Sequence, residues 1–421
     1  MAPQLVAVAS LLLGSTFLLI AGSMHGLLLA VRGTAAGFST TELGLLGTGW
    51  ATGFVAGCIL IPYVVRRAGH IRAYGALASV AAVTILLNLL IVTPVAWILL
   101  RAVSGFTFAG AAMIVESWLN ERASRENRGT VFSIYQMVSF AASTAGQLLL
   151  VFTPPNDYFY FVLGAIIYCL AILPTALSTA ATPQPLKTTR FDIKRLYALS
   201  PVSAVVCFLI GLTNGAFGTL GPVYAQRIGL PVSRVALLTA GALLGGSLIQ
   251  FPLGWLSDRM DRRRVLVAIG IGAVAIGVTL VSLQPRDAAL ITGLIVLYGA
   301  MAYPMYALSV AHANDFAGPD EFVKVASGLL LLYGIGTMIG PIVAAFAMQN
   351  WIPEGLFAFT ATVHAMVVAY ALFRMTRRAP PVPGTRETFY GLPLPKTVTP
   401  ESAVLDPRAT DDPPPTAAPD T

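Results

Sequence analysis

Charge is what this chain has least of. Of its 421 residues only 11% are Asp, Glu, Lys or Arg, while 56% are hydrophobic and the mean hydropathy is +0.76. A soluble domain usually carries charge on about a quarter of its residues, so an ordinary soluble fold is excluded and an all-α membrane protein is expected. Cysteine is nearly absent. Cys58, Cys169 and Cys207 fall inside apolar stretches without metal-ligand spacing, which removes disulfide and zinc frameworks and leaves packing roles. No GxxxxGK[ST], HExxH or GxSxG occurs, and no pair of carboxylates stands inside an apolar run. A nucleotide-hydrolysing engine or a common hydrolase therefore has no sequence support, and no enzyme activity, cofactor or metal is expected. The net charge of +7 comes from short Lys and Arg clusters between apolar runs rather than from one polar face. Such clusters are topology signals, not a nucleic-acid surface.

What the chain does have is long apolar runs. Stretches of about 20 residues, enough to cross roughly 30 Å of hydrocarbon, lie at 5–31, 43–65, 71–92, 95–119, 129–152 and 157–178. A polar, basic connector from Thr182 to Leu199 follows, and then come runs at 201–225, 233–257, 264–283, 288–312, 322–348 and 355–376. The expectation is twelve transmembrane helices in two six-helix bundles, 1–180 and 201–378, joined by a linker at 181–200. The first run begins almost at Met1 without a basic leader and is as long as a spanning helix, so it reads as a retained helix. From 379 to 421 the chain carries Pro380, Pro381, Pro383, Pro393, Pro395 and Pro413 to Pro415 with few large apolar residues. That composition predicts a disordered tail with no necessary part in the chain's activity. Lys and Arg gather in alternate loops and in the tail, whereas the opposite loops hold only Arg32, Arg227, Arg234 and Arg286. The rule that cytoplasmic loops are basic then puts both termini in the cytoplasm.

An internal repeat sharpens the architecture. One constant offset places Gly26 on Gly218, Gly37 on Gly229, Gly49 on Gly241, Gly53 on Gly245 and Arg67 on Arg259. An offset two residues longer pairs Gly105 with Gly299, Asn120 with Asn314, Glu126 with Asp320 and Gly146 with Gly340. Two halves in one register imply a duplication about an axis along the membrane normal, with a binding site between the halves.

Charged turns carry the most specific patterns. Gly254 to Arg263 reads GWLSDRMDRR, a GxxxDRxxRR turn between two apolar helices. The stretch ESWLN at Glu116 to Asn120 leads through Glu121 to Arg128 and Gly129, and AHAND and SGLLLLYGIG follow at Ala311 and Ser327. These strings resemble the major facilitator superfamily, in particular its YcaD-type bacterial members, over residues 1 to about 378. The resemblance implies two rocking six-helix bundles and a transporter, with no settled substrate. It also implies a cytoplasmic gate in which Asp258 accepts from a helix N-terminus of the other half, while Arg259, Arg262 and Arg263 pair with carboxylates that end neighbouring helices. Glu121, Arg128 and Asp315 belong to the same gate. The matching turn in the first half, Pro62 to Arg72, departs from the pattern, with Pro62 in place of the Gly and Arg66 in place of the Asp.

Inside the apolar runs, ionisable residues are costly and therefore candidates for function. Arg101 lies roughly 9 Å below the outer end of its helix at 1.5 Å per residue, and with Gly105 it forms an RxxxG that resembles the helix-4 signature of proton-coupled antiporters. His25 and Gln147 stand at similar depth, so the three form a candidate polar layer suited to an anionic solute. Gln136, Asn214, Gln250, Tyr298, Tyr303 and Tyr306 are further solute-binding candidates, each equally able to serve as interhelical glue. His25, Glu42 and Glu116 are the candidate proton carriers. Pro304 predicts a kink, and Gly334 to Pro341 a close-packed, bendable helix. His364 reads as structural.

The expected function is secondary transport of a small solute by alternating access, proton-coupled, with an organic anion or drug-like metabolite as cargo. Partners would be that solute, the bilayer and protons, with the chain a monomer that binds no nucleic acid. The alternatives are an uncoupled facilitator and a non-transporting receptor or scaffold acting through the tail.

Overall fold

The computed structural model describes residues 2–123, 128–152, 158–177, 192–318, 321–379, 389, 391–392 and 398–405. Arg125, Glu126, Asn127 and Asp320, most of the connector and the prolines of the tail other than Pro400 lie outside them. Twelve crossings form, as the apolar runs require. The first half comprises α1 (Ala2–Ala35), α2 (Thr40–Ala68), α3 (His70–Leu90), α4 (Pro94–Arg122), α5 (Arg128–Leu148) and α6 (Phe159–Ala176). A short α7 (Ile193–Leu199) precedes the second half: α8 (Pro201–Arg227), α9 (Val232–Arg259), α10 (Arg262–Leu283), α11 (Ala288–Ala302) with α12 (Pro304–Asn314), α13 (Phe322–Asn350) and α14 (Gly355–Met375). A final turn, α15 (Pro400–Leu405), lies in the tail.

Local chemistry sets the helix ends. Pro94, Pro201 and Pro304 open α4, α8 and α12, where the missing N–H costs nothing. Ser39 and Glu42 close a capping box on α2, with the Glu42 carboxylate 2.7 Å from the Ser39 amide. Asp261 and Asp287 cap α10 and α11 by accepting from the amides of Arg263 and Leu290. Pro304 breaks the tenth crossing at Tyr303, the kink expected of it.

The two halves repeat one packing scheme. α2 lies on α4 as α9 lies on α11; α1 lies on α5 and α6 as α8 lies on α13 and α14; and α3 joins α4 and α6 as α10 joins α11 and α14. The paired glycines explain why the repeat persists in sequence. A methyl group on Gly105 would collide with the carbonyl of Trp50, and one on Gly299 with that of Ala242. Gly53 and Gly245 likewise meet the carbonyls of Ala102 and Val296, and Gly146 and Gly340 those of Ile20 and Leu212. Even the carbonyls struck are related by the same offsets. Gly37 and Gly229 take positive φ, 81° and 87°, in the turns that follow α1 and α8.

The ends of the bundle differ. At the end away from the termini the halves touch. Thr41 Oγ1 donates to Gln349 at 2.6 Å, Thr48 Oγ1 to the Met338 carbonyl at 2.7 Å, and Gly44 packs on Pro341. At the basic end, where α1 starts and α14 stops, described parts of the tail stand between the halves. A disordered tail was the expectation from composition, yet Leu392, Val398 and Thr399 to Ser402 are buried. Two apolar side chains gain cover there, and the Thr399 and Ser402 hydroxyls reach the carboxylate of Glu116. Along the outside, Leu90, Phe152, Leu177, Leu248 and Phe251 are exposed, an apolar surface suited to lipid.

Candidate solute cavity

Between the halves lies a cavity of about 140 Å³. The first half contributes Trp50, Arg101, Phe108, Gln147 and Tyr168, and the second Asn214, Phe217, Thr219, Tyr303 and Tyr333. Arg101 is the charged residue of the lining, and no carboxylate joins it there among the described residues. Its guanidinium carbon sits 5.9 Å from the centre of the Trp50 ring, within cation–π range. Gly26 leaves room beside it, since a methyl there would stand 3.8 Å from the nearer guanidinium nitrogen. Gln147 Oε1 and Asn214 Nδ2 are buried without a hydrogen-bond partner, an arrangement that is costly unless a ligand or water completes it. The site therefore offers one positive charge, an acceptor, a donor and aromatic walls.

Of the residues expected from sequence, Arg101, Gln147, Asn214 and Tyr303 line this cavity. His25 does not. It is fully buried with Nε2 3.1 Å from Asn88 Oδ1 of α3 and its ring edge-on to Tyr168. The expected three-residue polar layer is therefore Arg101 and Gln147, because the His25 imidazole is spent on an interhelical contact behind the wall. Gln136 and Gln250 lie toward the basic end, on either side of Gly391. Tyr298 packs among Phe217, Phe357 and His364, and Tyr306 packs against Tyr333 with ring centres 5.0 Å apart and planes tilted by 58°, so both belong to the core of the second half. Sequence reasoning missed Trp50, Phe108, Tyr168 and Tyr333, whose rings sit in apolar runs and look like packing. Only Trp50 offered a signal, standing between Gly49 and Gly53 where helices approach closely.

The candidate carboxylates have separate surroundings. Glu42 is committed to capping α2. Glu116 is fully buried near the basic end of α4, where it accepts from Tyr135 at 2.9 Å, from Ser402 at 2.7 Å and from Thr399.

The gate candidates of the second half form a compact network. Arg262, with its side chain 1% exposed, donates to Asp315 at 2.9 Å, to Asp258 at 3.1 Å and to Ser257 at 2.9 Å. Asp258 also accepts from the backbone amide of Phe389 in the tail, at 3.0 Å, rather than from a helix N-terminus of the other half. Arg259 lies over the ring of Trp255 at 3.8 Å and donates to its carbonyl. Arg263 grips Asp261 at 2.8 Å. Burial would raise the Asp261 carboxyl, but the side chain and amide of Arg263 hold it below the usual carboxylate range. In the first half Arg128 is buried while Glu121 ends α4 exposed.

The match to known proteins agrees with this geometry. A family model described as Major Facilitator Superfamily matches residues 11–238 and 203–409. The chain is 26% identical over 351 residues to the "Uncharacterized MFS-type transporter YcaD" of Escherichia fergusonii, covering 82% of this chain and 89% of that protein. It is 27% identical over 329 residues to the protein of the same name from Escherichia coli K12, covering 77% and 84%. Among solved structures, the nucleoside transporter NupG superposes with a TM-score of 0.72 at 13% identity, over 90% of this chain and 100% of that one. A bacterial homologue of the human lysosomal transporter Spinster, described as inward-facing and occupied, superposes with a TM-score of 0.69 at 17% identity, over 90% and 97%.

Proposed function

The chain belongs to the major facilitator superfamily, and from that premise we propose that it carries a small organic anion across the cell inner membrane by alternating access, with a proton as the coupled ion. That it is a multi-pass solute transporter follows from family and fold. The anionic cargo rests on one observation, the Arg101 guanidinium lining the cavity between the halves without a carboxylate beside it. A charge at that depth is expensive until a counter-charge arrives, and a guanidinium is shaped to receive a carboxylate or phosphate through two hydrogen bonds. Trp50, Phe108, Tyr168 and Tyr333 suit an apolar body attached to that anion, while Gln147 and Asn214 complete its polar edge.

With the basic end taken as cytoplasmic, the closed far end makes this the inward-facing state. Of the candidate proton carriers, Glu116 and His25 are fully buried in the bundle, whereas Glu42 caps α2. A second reading, an uncoupled facilitator, draws on the cavity wall, which holds neither carboxylate nor imidazole among the described residues.

Thermal stabilisation of the purified chain against carboxylates, sugars, amino acids, amines and apolar drugs tests the cargo. An organic anion at 100 times its Kd should add about 2.7 kcal/mol. Arg101→Ala should abolish that gain, and Arg101→Lys should keep part of it. Stabilisation by cationic or apolar compounds alone, equal in Arg101→Ala, ends the anion reading. In proteoliposomes, anion uptake abolished by a protonophore supports coupling, whereas uptake that survives it favours the facilitator.

A further inference from the structure

We infer that the described residues of the tail, 389, 391–392 and 398–405, act as an intramolecular plug that occupies the vestibule at the basic end, holds the two halves apart there, and must withdraw before that end can close. The inference concerns access to the cavity, and it stands independently of which solute is carried.

The first observation is that the tail bonds to both halves. Thr399 and Ser402 donate to Glu116 of α4, in the first half. The amides of Leu392 and Phe389 donate to Gln250 and Asp258 of α9, in the second half, at 3.1 and 3.0 Å. α15 packs on α4 from one half and on α13 from the other. A strand of chain bonded to both walls of a cleft resists their approach as well as their separation.

The second observation is geometric. Gly391 stands between Gln136 of α5 and Gln250 of α9, so close that a methyl group on it would lie 2.9 Å from Gln250 Oε1 and 3.4 Å from Gln136 Oε1. The ring of Phe389 lies so tightly on Gly254 that a methyl there would collide with it. Pro400 forms part of the wall of a second recess, lined by Val55, Cys58, Leu330 and Tyr333, which borders the solute cavity through Trp50, Tyr333 and Thr337. Alternating access would bring α4 and α5 toward the second half at this end, and these backbone atoms occupy the space they would need.

The third observation is the chemistry of the anchor. Glu116 is a carboxyl within a spanning helix whose surroundings supply three hydroxyl donors, two of them from the tail. A buried carboxyl left short of donors is costly, and without the tail Tyr135 is the one of these three hydroxyls that remains to it. The docking is therefore specific to residues Thr399 and Ser402, not a general collapse of an apolar segment.

Thiol labelling of the full chain tests both parts without any solute. Cys58 and Cys169 are replaced by Ala and Ser, and Cys207, which is fully buried, is kept as a reporter of unfolding. A Gln136→Cys reporter beneath Gly391 should react slowly with a membrane-impermeant maleimide while the tail is native. In Thr399→Asp/Ser402→Asp, two carboxylates face Glu116 and should expel the tail, and labelling should then rise at least about tenfold, the worth of one charge-assisted bond. Thr399→Ala/Ser402→Ala should fall between. Equal rates in all three chains overturn the plug. A Thr48→Cys reporter at the closed far end reads the locking: it should also react faster in the Asp variant, because the freed bundle visits the opposite state. A rise at Gln136→Cys alone overturns the claim that the tail holds the state. If Cys207 becomes reactive the Asp variant has unfolded, and the pair Gly254→Cys/Phe389→Cys decides instead. That pair should form a disulfide in the folded chain, and failure to cross-link overturns the plug.

Discussion

Where α1 carries His25, the second half carries Phe217 at the equivalent place, and Arg101 of α4 corresponds to Ile295 of α11. Glu116 matches Val310, and in the charged turns the exchange runs the other way, with Arg66 opposite Asp258. Three pairs of glycines at the crossings, by contrast, are kept, Gly53 with Gly245, Gly105 with Gly299 and Gly146 with Gly340, and each of these pairs meets equivalent carbonyls. Two halves of one duplication have thus retained the positions where backbones touch and divided the polar work. At those three crossings a Cβ would strike a carbonyl of the neighbouring helix, so the glycine is costly to replace in either half. A polar side chain in the cavity needs to be supplied only once, from either wall. Charge for the cavity comes from the first half, and the buried ion-pair network at the basic end comes from the second.

That division can be broken most strongly at Arg262. Replacing it with Ala takes the guanidinium away from Asp315, whose side chain is 1% exposed, and removing one partner of such a buried pair costs roughly 3–5 kcal/mol. Chemical denaturation of the detergent-solubilised chain should show that loss, whereas Arg67→Ala in the first-half turn, exposed in the structure, should leave stability unchanged. Equal losses would mean that the two turns are not specialised.

The shared skeleton is sharpened by Gly105→Ala and Gly299→Ala. Each should cost about 1–3 kcal/mol, the usual penalty of overpacking, and by similar amounts, since each new methyl meets a backbone carbonyl that cannot swing aside. A large loss from one and none from the other would show that the crossings are not equivalent.

A smaller effect should appear in acid. Asp261 is held below its ordinary pKa by Arg263, so its contribution is complete above the unfolded carboxylate value of about 3.9 and is lost as pH falls through the lower folded value. Hydrogen exchange at the first turn of α10 should therefore accelerate as pH drops below about 4, once corrected for intrinsic rates. The start of α3, where Arg66, Arg67 and His70 stand without a carboxylate among them, should show no such step. A step of equal size at both turns would remove the Asp261–Arg263 pair as its cause.

Much of this was legible in sequence, and what was not has a physical cause. The twelve crossings and the break at Pro304 are written in residue type alone, because hydrocarbon selects apolar runs and proline lacks an amide. Arg101, which lines the cavity, was legible as a candidate because charge in such a run is costly. The cavity walls at Trp50, Phe108, Tyr168 and Tyr333 were not, since an aromatic ring facing a cavity and one facing a neighbouring helix are the same letter. His25 was misplaced for the related reason that Asn88, which takes its ring nitrogen, is on a helix far along the chain. The docking of the described tail residues was not legible, because proline content favours disorder while Leu392, Thr399 and Ser402 carry no periodic signal.

By itself, then, the sequence determined the number of crossings, the duplicated register and the presence of a cation, Arg101, within a spanning run, all of which depend on single residues against lipid or on fixed spacing along one chain. Tertiary structure alone decided which polar groups share the cavity, which end of the bundle is closed, and that the tail lies in the vestibule on Glu116, Gln250 and Asp258. Those outcomes depend on side chains from distant segments meeting at hydrogen-bond distance, and composition and spacing carry no record of that meeting.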